Sequence, residues 1–447
     1  MMKRKCNYTL LIFATLFLVL QGTKNTNAQD KPVEAGLSKD DSLKNEIELI
    51  KGDIQFLKKL KISGYIQTQV QFADSMGISS FAGGNFPAVS DKRIGVRRGR
   101  IKFDYTKDLT QLVLQFDLTE KGLATKDAYI KITDPKWQSF ILTAGVFNRP
   151  FGYEIAYSSS LRESPERSRM IQTLFPGERD LGASITFQPP KTSRFNFIKV
   201  EGGMFCGNGI NAEFDRQKDF MGRAGISKAT KNEKIKYGLG FSYYNGGVYQ
   251  GSKYIYNMWD IKEGILGFSV DSSSTNKGLV ARREYIGADA QFSIETPIGI
   301  TTVRAEYIQG AQPGTSSSTT SLNTSSVPTD NVYKRNFNGF YGYFTQNIGN
   351  TPLQVVGKYD WYDPNTDVAG NNIAATLKAS DNSNVTTKLS SADIKYTTIG
   401  VGLIYKFDQN FKAMAYYDMV TNESTGITKY TRDLTDNVFT FRLQYKF

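Results

Sequence analysis

From Leu60 to Phe447 apolar side chains return at every second position, in segments of roughly ten residues separated by polar turns. Alternation of this kind places successive side chains on opposite faces of a strand. Ile62, Ile66, Val70 and Phe72 share one face, and Ser63, Tyr65, Gln67, Gln69 and Gln71 the other. Ile101, Phe103 and Tyr105 oppose Arg98, Arg100, Lys102 and Asp104, and Leu112, Leu114, Phe116 and Leu118 oppose Gln111, Gln115 and Asp117. A soluble sandwich also alternates, but its packed core has no room for rows of Arg, Lys and Asp. A transmembrane barrel has apolar residues facing lipid and polar ones facing a wet interior. The pattern predicts an all-β fold: a transmembrane antiparallel β-barrel of about 16 strands over residues 60–447, with both ends in the periplasm. The C-terminal segment carries the strongest local signal. Phe439, Phe441, Leu443, Tyr445 and Phe447 alternate with Thr440, Arg442, Gln444 and Lys446. An apolar strand at an open edge would aggregate, whereas in a closed barrel it has a neighbour on each side. Such an ending is also what outer-membrane assembly machinery recognises, so that machinery is an expected partner, together with outer-membrane lipid.

The N-terminus reads as an export signal. Lys3, Arg4 and Lys5 precede the apolar run from Thr9 to Leu20, and Thr26-Asn27-Ala28 is a small-residue cleavage site. Residues 1–28 are therefore expected to be removed, leaving Cys206 as the only cysteine and no intrachain disulfide. Loss of four cations and no acid takes the net charge from +12 to +8. Residues 29–59 are expected to be a polar tail and a short periplasmic helix, because Leu43, Ile47, Ile50, Ile54 and Leu57 share a helix face. That stripe reads either as a helix packed on its own domain or as a short coiled coil within an oligomer. The chain contains no histidine, which excludes Ser-His-Asp and Cys-His catalysis and His-containing metal centres. A nucleophilic role for Ser158–Ser160 lacks a base. No enzyme activity, cofactor or metal is expected, and no nucleic acid partner.

The stretch from Asp127 to Phe187 carries Asp127-Ala128-Tyr129, Gly145-Val146-Phe147, Pro150-Phe151-Gly152-Tyr153-Glu154, Ser158-Ser159-Ser160, Glu166-Arg167-Ser168, Phe175-Pro176-Gly177 and Arg179-Asp180-Leu181-Gly182. Gly207-Asn208-Gly209-Ile210-Asn211, Gly222-Arg223, Gly287-Ala288-Asp289-Ala290-Gln291 and Gly357-Lys358-Tyr359-Asp360 follow in order. This ordered set resembles the phosphate-selective porin O and P family over most of the chain after about residue 60. The resemblance implies a homotrimer of 16-stranded barrels that pass small anions such as phosphate, each pore narrowed by an inward-folded third loop, here near residues 147–180.

Barrels select solutes by pore width and by rings of lining charge. The face opposite lipid carries Arg98, Arg100, Lys102, Lys131, Arg223, Arg304, Lys358, Lys412, Arg442 and Lys446 against Asp104, Asp117, Asp127, Asp289, Glu306, Asp360 and Asp418. The segment 147–182 adds Arg149, Arg162, Arg167, Arg169 and Arg179 with five acids. Arginine forks hold oxyanions through two parallel bonds, and Ser158 and Ser159 offer hydroxyl donors. The candidate pore-lining and anion-binding residues are thus Arg98, Arg100, Lys131, Arg149, Ser158, Ser159, Arg162, Arg167, Arg223, Arg304 and Lys358. The alternative for each loop charge is a mutual ion pair that braces the loop against the wall. Arg304 and Glu306, two apart on one face, are expected to pair with each other, and the Ser/Thr-rich stretch 315–329 to be a mobile external loop. The functional readings are a passive channel for small anions, a general or sugar/peptide porin without anion selectivity, and a non-channel adhesin barrel.

Overall fold

The structure, a computed structural model, describes residues 47–48, 51 and 57–447. The expected signal peptide (1–28) and most of the expected tail and helix (29–59) lie outside the described residues. Sixteen strands follow one another as β1 (Leu60–Ala73), β2 (Lys92–Lys107), β3 (Thr110–Thr119), β4 (Gly122–Thr133), β5 (Phe140–Asn148), β6 (Arg179–Phe187), β7 (Ile198–Phe205) and β8 (Asp219–Ala229). They continue as β9 (Ile235–Tyr249), β10 (Val280–Thr296), β11 (Gly299–Gly314), β12 (Val332–Asn347), β13 (Leu353–Asp363), β14 (Tyr396–Lys406), β15 (Phe411–Asn422) and β16 (Val438–Lys446). Each is antiparallel to the next, for example β1 to β2, β9 to β10 and β15 to β16. The ring closes where β16 pairs with β1, from Tyr65 opposite Lys446 to Ala73 opposite Val438. Phe447 completes the seam: its carbonyl accepts from Gly64 N at 3.1 Å and its N–H donates to Gly64 O at 3.0 Å. A Cβ at position 64 would strike the Arg100 carbonyl and the Phe447 ring, so the seam requires glycine there.

The faces are inverted relative to a water-soluble protein. Ile62, Ile66 and Phe72 are exposed on the outside, while Tyr65, Gln67, Gln69 and Gln71 between them are buried inside. Only a closed barrel satisfies its backbone while turning its apolar side outward to lipid. One end carries tight turns, such as Asp108 and Leu109 between β2 and β3, where Asp108 takes φ 51°. Aromatic residues gather near it: Phe407 stacks on Phe411 at 4.6 Å, and Phe140 packs against Phe187 at 5.2 Å and Trp137 at 6.2 Å. The opposite end carries the long connections. Two hairpins rise there, Ile255–Lys262 with Ile265–Asp271 and Thr376–Lys378 with Asn384–Thr386. Phe268, Tyr333, Val368, Ile373, Leu389 and Ile394 form a small core between them. The 315–331 connection, of which 315–329 is expected to be a mobile external loop, is folded in: Thr319 and Ser321 are buried, and Ser321 Oγ accepts from Arg283 at 2.6 Å.

Two β-bulges break the alternation of the barrel strands. Gln67 pairs with Arg98 and Thr68 with Val96, so Arg97 is an extra residue in β2. Gln115 pairs with Asp127 and Phe116 with Thr125, so Lys126 is an extra residue in β4. A bulge leaves one residue unpaired and re-aims its side chain.

Candidate functional site

The loop between β5 and β6, residues 149–178, lies within the barrel. Its sequence explains why: Phe151, Ile155, Met170, Ile171, Leu174 and Phe175 are all buried, and they pack on Tyr244, Tyr285, Phe337, Tyr341 and Tyr343 from β9 to β12. A short helix, Arg169–Leu174, carries three of these residues and begins at Ser168, whose hydroxyl caps it. Gly339 faces Met170, and a Cβ there would meet the Met170 sulfur at 2.6 Å. Gly152 takes φ +60° where the loop passes over the Glu306 carboxylate, an approach no larger residue could make.

Polar braces fix the loop to the wall. Glu166 is the principal one. Its carboxylate accepts from Arg97 Nε at 2.7 Å, Arg98 Nη2 at 2.7 Å and Arg442 Nη2 at 3.2 Å. Burial alone would raise its proton affinity, but the three guanidinium groups outweigh burial and hold the carboxyl well below the usual range. Ser159 Oγ meets Tyr65 Oη at 2.5 Å and accepts from Arg100 Nη1 at 3.1 Å, and its carbonyl accepts from Gln67. Arg304 and Glu306 do not pair with each other. Arg304 donates to Glu163 on the loop, whereas Glu306 accepts from the backbone N–H groups of Tyr153 at 3.1 Å and Glu154 at 3.2 Å. Both lie on the inner face as the period of two implies, and each takes its partner from the loop instead.

The remaining candidates divide by surroundings. Arg167 binds Glu178 and the carbonyls of Glu154, Ile155 and Tyr157. Arg162, on the loop, is buried, and Lys412 reaches its carbonyl at 3.4 Å. Lys358 pairs with Asp360 at 2.7 Å, both buried. Ser158 Oγ contacts Ser160 Oγ at 3.0 Å. Arg223 holds Asp289 through two bonds of 3.0 and 2.6 Å. Arg149 binds Asp180 at 3.1 Å, and Lys131 lies 5.3 Å from the Tyr129 ring.

With the loop packed on the β9–β12 wall, the open space along β1–β8 includes two cavities. The first, about 430 Å³, lies toward the long-loop end. Its charged lining is Arg93, Arg97, Lys121 and Lys126 against Asp117 and Glu120. The second, about 250 Å³, lies on the short-turn side of the loop. Its charged lining is Lys131, Arg149, Lys199 and Arg223 against Asp127 and Glu201. Arg97 and Lys126 escaped the sequence reading because both sit at bulges, and Lys199 because β7 has too weak an alternation to be read as a strand. Among the described residues no group of three or more Cys, Asp and Glu side chains is placed to hold a metal ion.

No family model and no curated protein matches the chain. Solved structures do. OprB of Pseudomonas putida superimposes with a TM-score of 0.54 at 9% identity, covering 90% of this chain and 97% of that one. The outer membrane channel DcaP of Acinetobacter baumannii gives 0.49 at 10% identity, covering 87% and 97%. The trimer form of OmpT, an outer membrane protein of Vibrio cholerae, gives 0.45 at 9% identity, covering 87% and 99%. The chain has the fold of the outer-membrane porins: a closed, all-β, antiparallel barrel of sixteen strands.

Proposed function

We propose that this protein is an outer-membrane porin, a passive diffusion channel for small anions, phosphate-like ions among them. The observation that carries this reading is the charge of the two cavities, each with four cations to two acids. Glu163 and Glu178 are engaged by Arg304, Arg167 and Arg179; Arg97, Arg149 and Arg223 are offset by Glu166, Asp180 and Asp289, which leaves Arg93, Lys121, Lys126 and Lys131 as the lining cations with no ion pair among the described residues. A low-dielectric wall focuses the remaining positive charge on a passing ion. Lys131, Arg149 and Arg223 act on the solute directly, and Arg98, Arg100, Ser159 and Arg167 act by holding the loop. Export through the 1–28 signal, supported by its basic start and apolar run, and assembly as a homotrimer, supported by the sequence resemblance, belong to the same reading. Liposomes containing the purified protein test it. Phosphate release faster than release of a cation of similar size supports the reading, and release no faster than from empty liposomes rejects it.

A further inference from the structure

The short-turn end of the barrel is strongly basic along β4–β9. Three turns lie side by side there. Gln188 N–H, after β6, donates to Ser139 O, before β5, and Ser227 N–H in β8 donates to Phe197 O, before β7, each at 2.8 Å. The β6–β7 turn carries Lys191 and Arg194 and no acid. The β8–β9 turn and the strand ends beside it carry Lys228, Lys231, Lys234 and Lys236 against Glu233, and the β4–β5 turn carries Lys136. All seven cations are exposed, and only Lys236 has an ion-pair partner among the described residues, Glu233 at 4.0 Å. Two further acids adjoin them. Asp134 is engaged by the backbone N–H groups of Trp137, Ser139 and Phe140, and Glu295 N–H donates to Lys234 O. Seven cations against three acids leave an excess of four positive charges.

Three of these cations lie over aromatic rings: Lys136 at 5.1 Å from Trp137, Arg194 at 4.6 Å from Phe195 and Lys228 at 3.9 Å from Phe197. Trp137 and Phe195 are themselves exposed, as is Phe140 beside Trp137. An apolar ring carrying a cation suits the boundary between acyl chains and headgroups. A soluble acidic partner would leave those rings in water. Short turns mark the periplasmic end of such a barrel, so the headgroups they meet belong to the inner, phospholipid leaflet.

We infer that this face docks anionic phospholipid headgroups of the inner leaflet. The lysines and Arg194 attract the phosphodiester, and Trp137, Phe140 and Phe195 rest against the glycerol and the upper acyl chains. The inference rests on the outer-membrane porin reading and names a lipid partner for it.

Trp137 reports from within the patch. The test uses the full-length protein with Trp259→Phe and Trp361→Phe, which leaves Trp137 as the only indole. It is placed in phosphatidylcholine vesicles that contain brominated phosphatidylglycerol or brominated phosphatidylcholine, and quenching gives the relative affinity of the two lipids. Phosphatidylglycerol is predicted to be favoured about five-fold. The ratio should fall to near unity in about 1 M salt and in the combined variant Lys191→Gln, Arg194→Gln, Lys231→Gln and Lys234→Gln. Equal quenching by the two lipids overturns the inference, as does a preference that survives the four substitutions. A preference abolished by sodium phosphate but not by sodium chloride of equal ionic strength would make this a free-phosphate site and overturn it too. The unmodified protein supplies an independent test: lipid retained after detergent extraction from an equal mixture should be enriched in phosphatidylglycerol, and equal retention overturns the inference. Failure to form channels in these vesicles defeats the porin reading and this inference with it; channels with equal quenching remove only the lipid surface.

Discussion

Arg97 and Lys126 are the extra residues of two β-bulges, in β2 and β4, and both border the same 430 Å³ cavity. Each bulge adds to the wall a cation that strict alternation would have turned outward. Arg97 is partly taken by Glu166, whereas Lys126 has no ion-pair partner among the described residues. Of the two, Lys126 therefore contributes the more available charge. Removing one such charge from a partly dehydrated wall changes an ion's energy by on the order of 1 kcal/mol. Lys126→Gln is expected to lower the chloride-over-potassium permeability ratio about five-fold, measured as a reversal potential in a salt gradient. An unchanged ratio would assign selectivity to other residues.

Glu166 is the single carboxylate shared by Arg97, Arg98 and Arg442. Glu166→Gln keeps the shape and leaves three guanidinium groups facing one another, two of them buried. Breaking a buried pair from one side costs roughly 3–5 kcal/mol. The barrel is expected to remain assembled while the loop loosens, seen as increased open-channel noise and protease cleavage within residues 149–178. Wild-type noise in this variant would show that the packed apolar residues alone hold the loop.

The same carboxylate fixes a pH dependence. Its proton affinity is lower in the folded loop than the ordinary value of 4.5. The ion-pair stabilisation is therefore complete above pH 4.5 and is lost only as pH falls through the depressed value. Glu178, beside Arg167 and Arg179, is shifted in the same direction despite its burial. Channel noise is expected to stay constant from pH 8 to pH 5 and to rise only in strong acid, and Glu166→Gln should show the acid behaviour at neutral pH. A transition near pH 6 would contradict this assignment.

Phe447 takes part in closing the barrel. Phe447 exchanges two backbone hydrogen bonds with Gly64, and its ring covers that glycine. Deletion of Phe447, or Gly64→Leu, is expected to reduce heat-modifiable, membrane-inserted protein several-fold on gels. Normal amounts of both variants would mean that the other β1–β16 pairs suffice.

Much of the fold was legible because lipid imposes a strict period on each strand. Ile62, Ile66 and Phe72 against Tyr65, Gln67 and Gln71 announce an outer and an inner face without any tertiary information. The inner contacts were not legible in the same way. Arg304 and Glu306 lie on one strand face at the spacing of a pair, yet a loop some 150 residues earlier in the chain separates them. Arg97 and Lys126 were hidden because a bulge shifts the period by one residue, and nothing in the local sequence marks the shift. The stretch 315–329 is rich in Ser and Thr, which suggests mobility, but its Ser321 hydroxyl serves buried Arg283 and its Thr319 carbonyl serves buried Gln312.

The account rests on one physical claim: the space left beside the loop carries an excess of positive charge that a passing ion feels. The most direct test is the zero-current potential of the wild-type channel in a planar bilayer, with potassium chloride ten-fold more concentrated on one side. The account predicts a potential whose sign gives chloride the higher permeability, and whose size falls when salt is raised enough to screen the walls. A potential of the opposite sign, giving potassium the higher permeability, would contradict it.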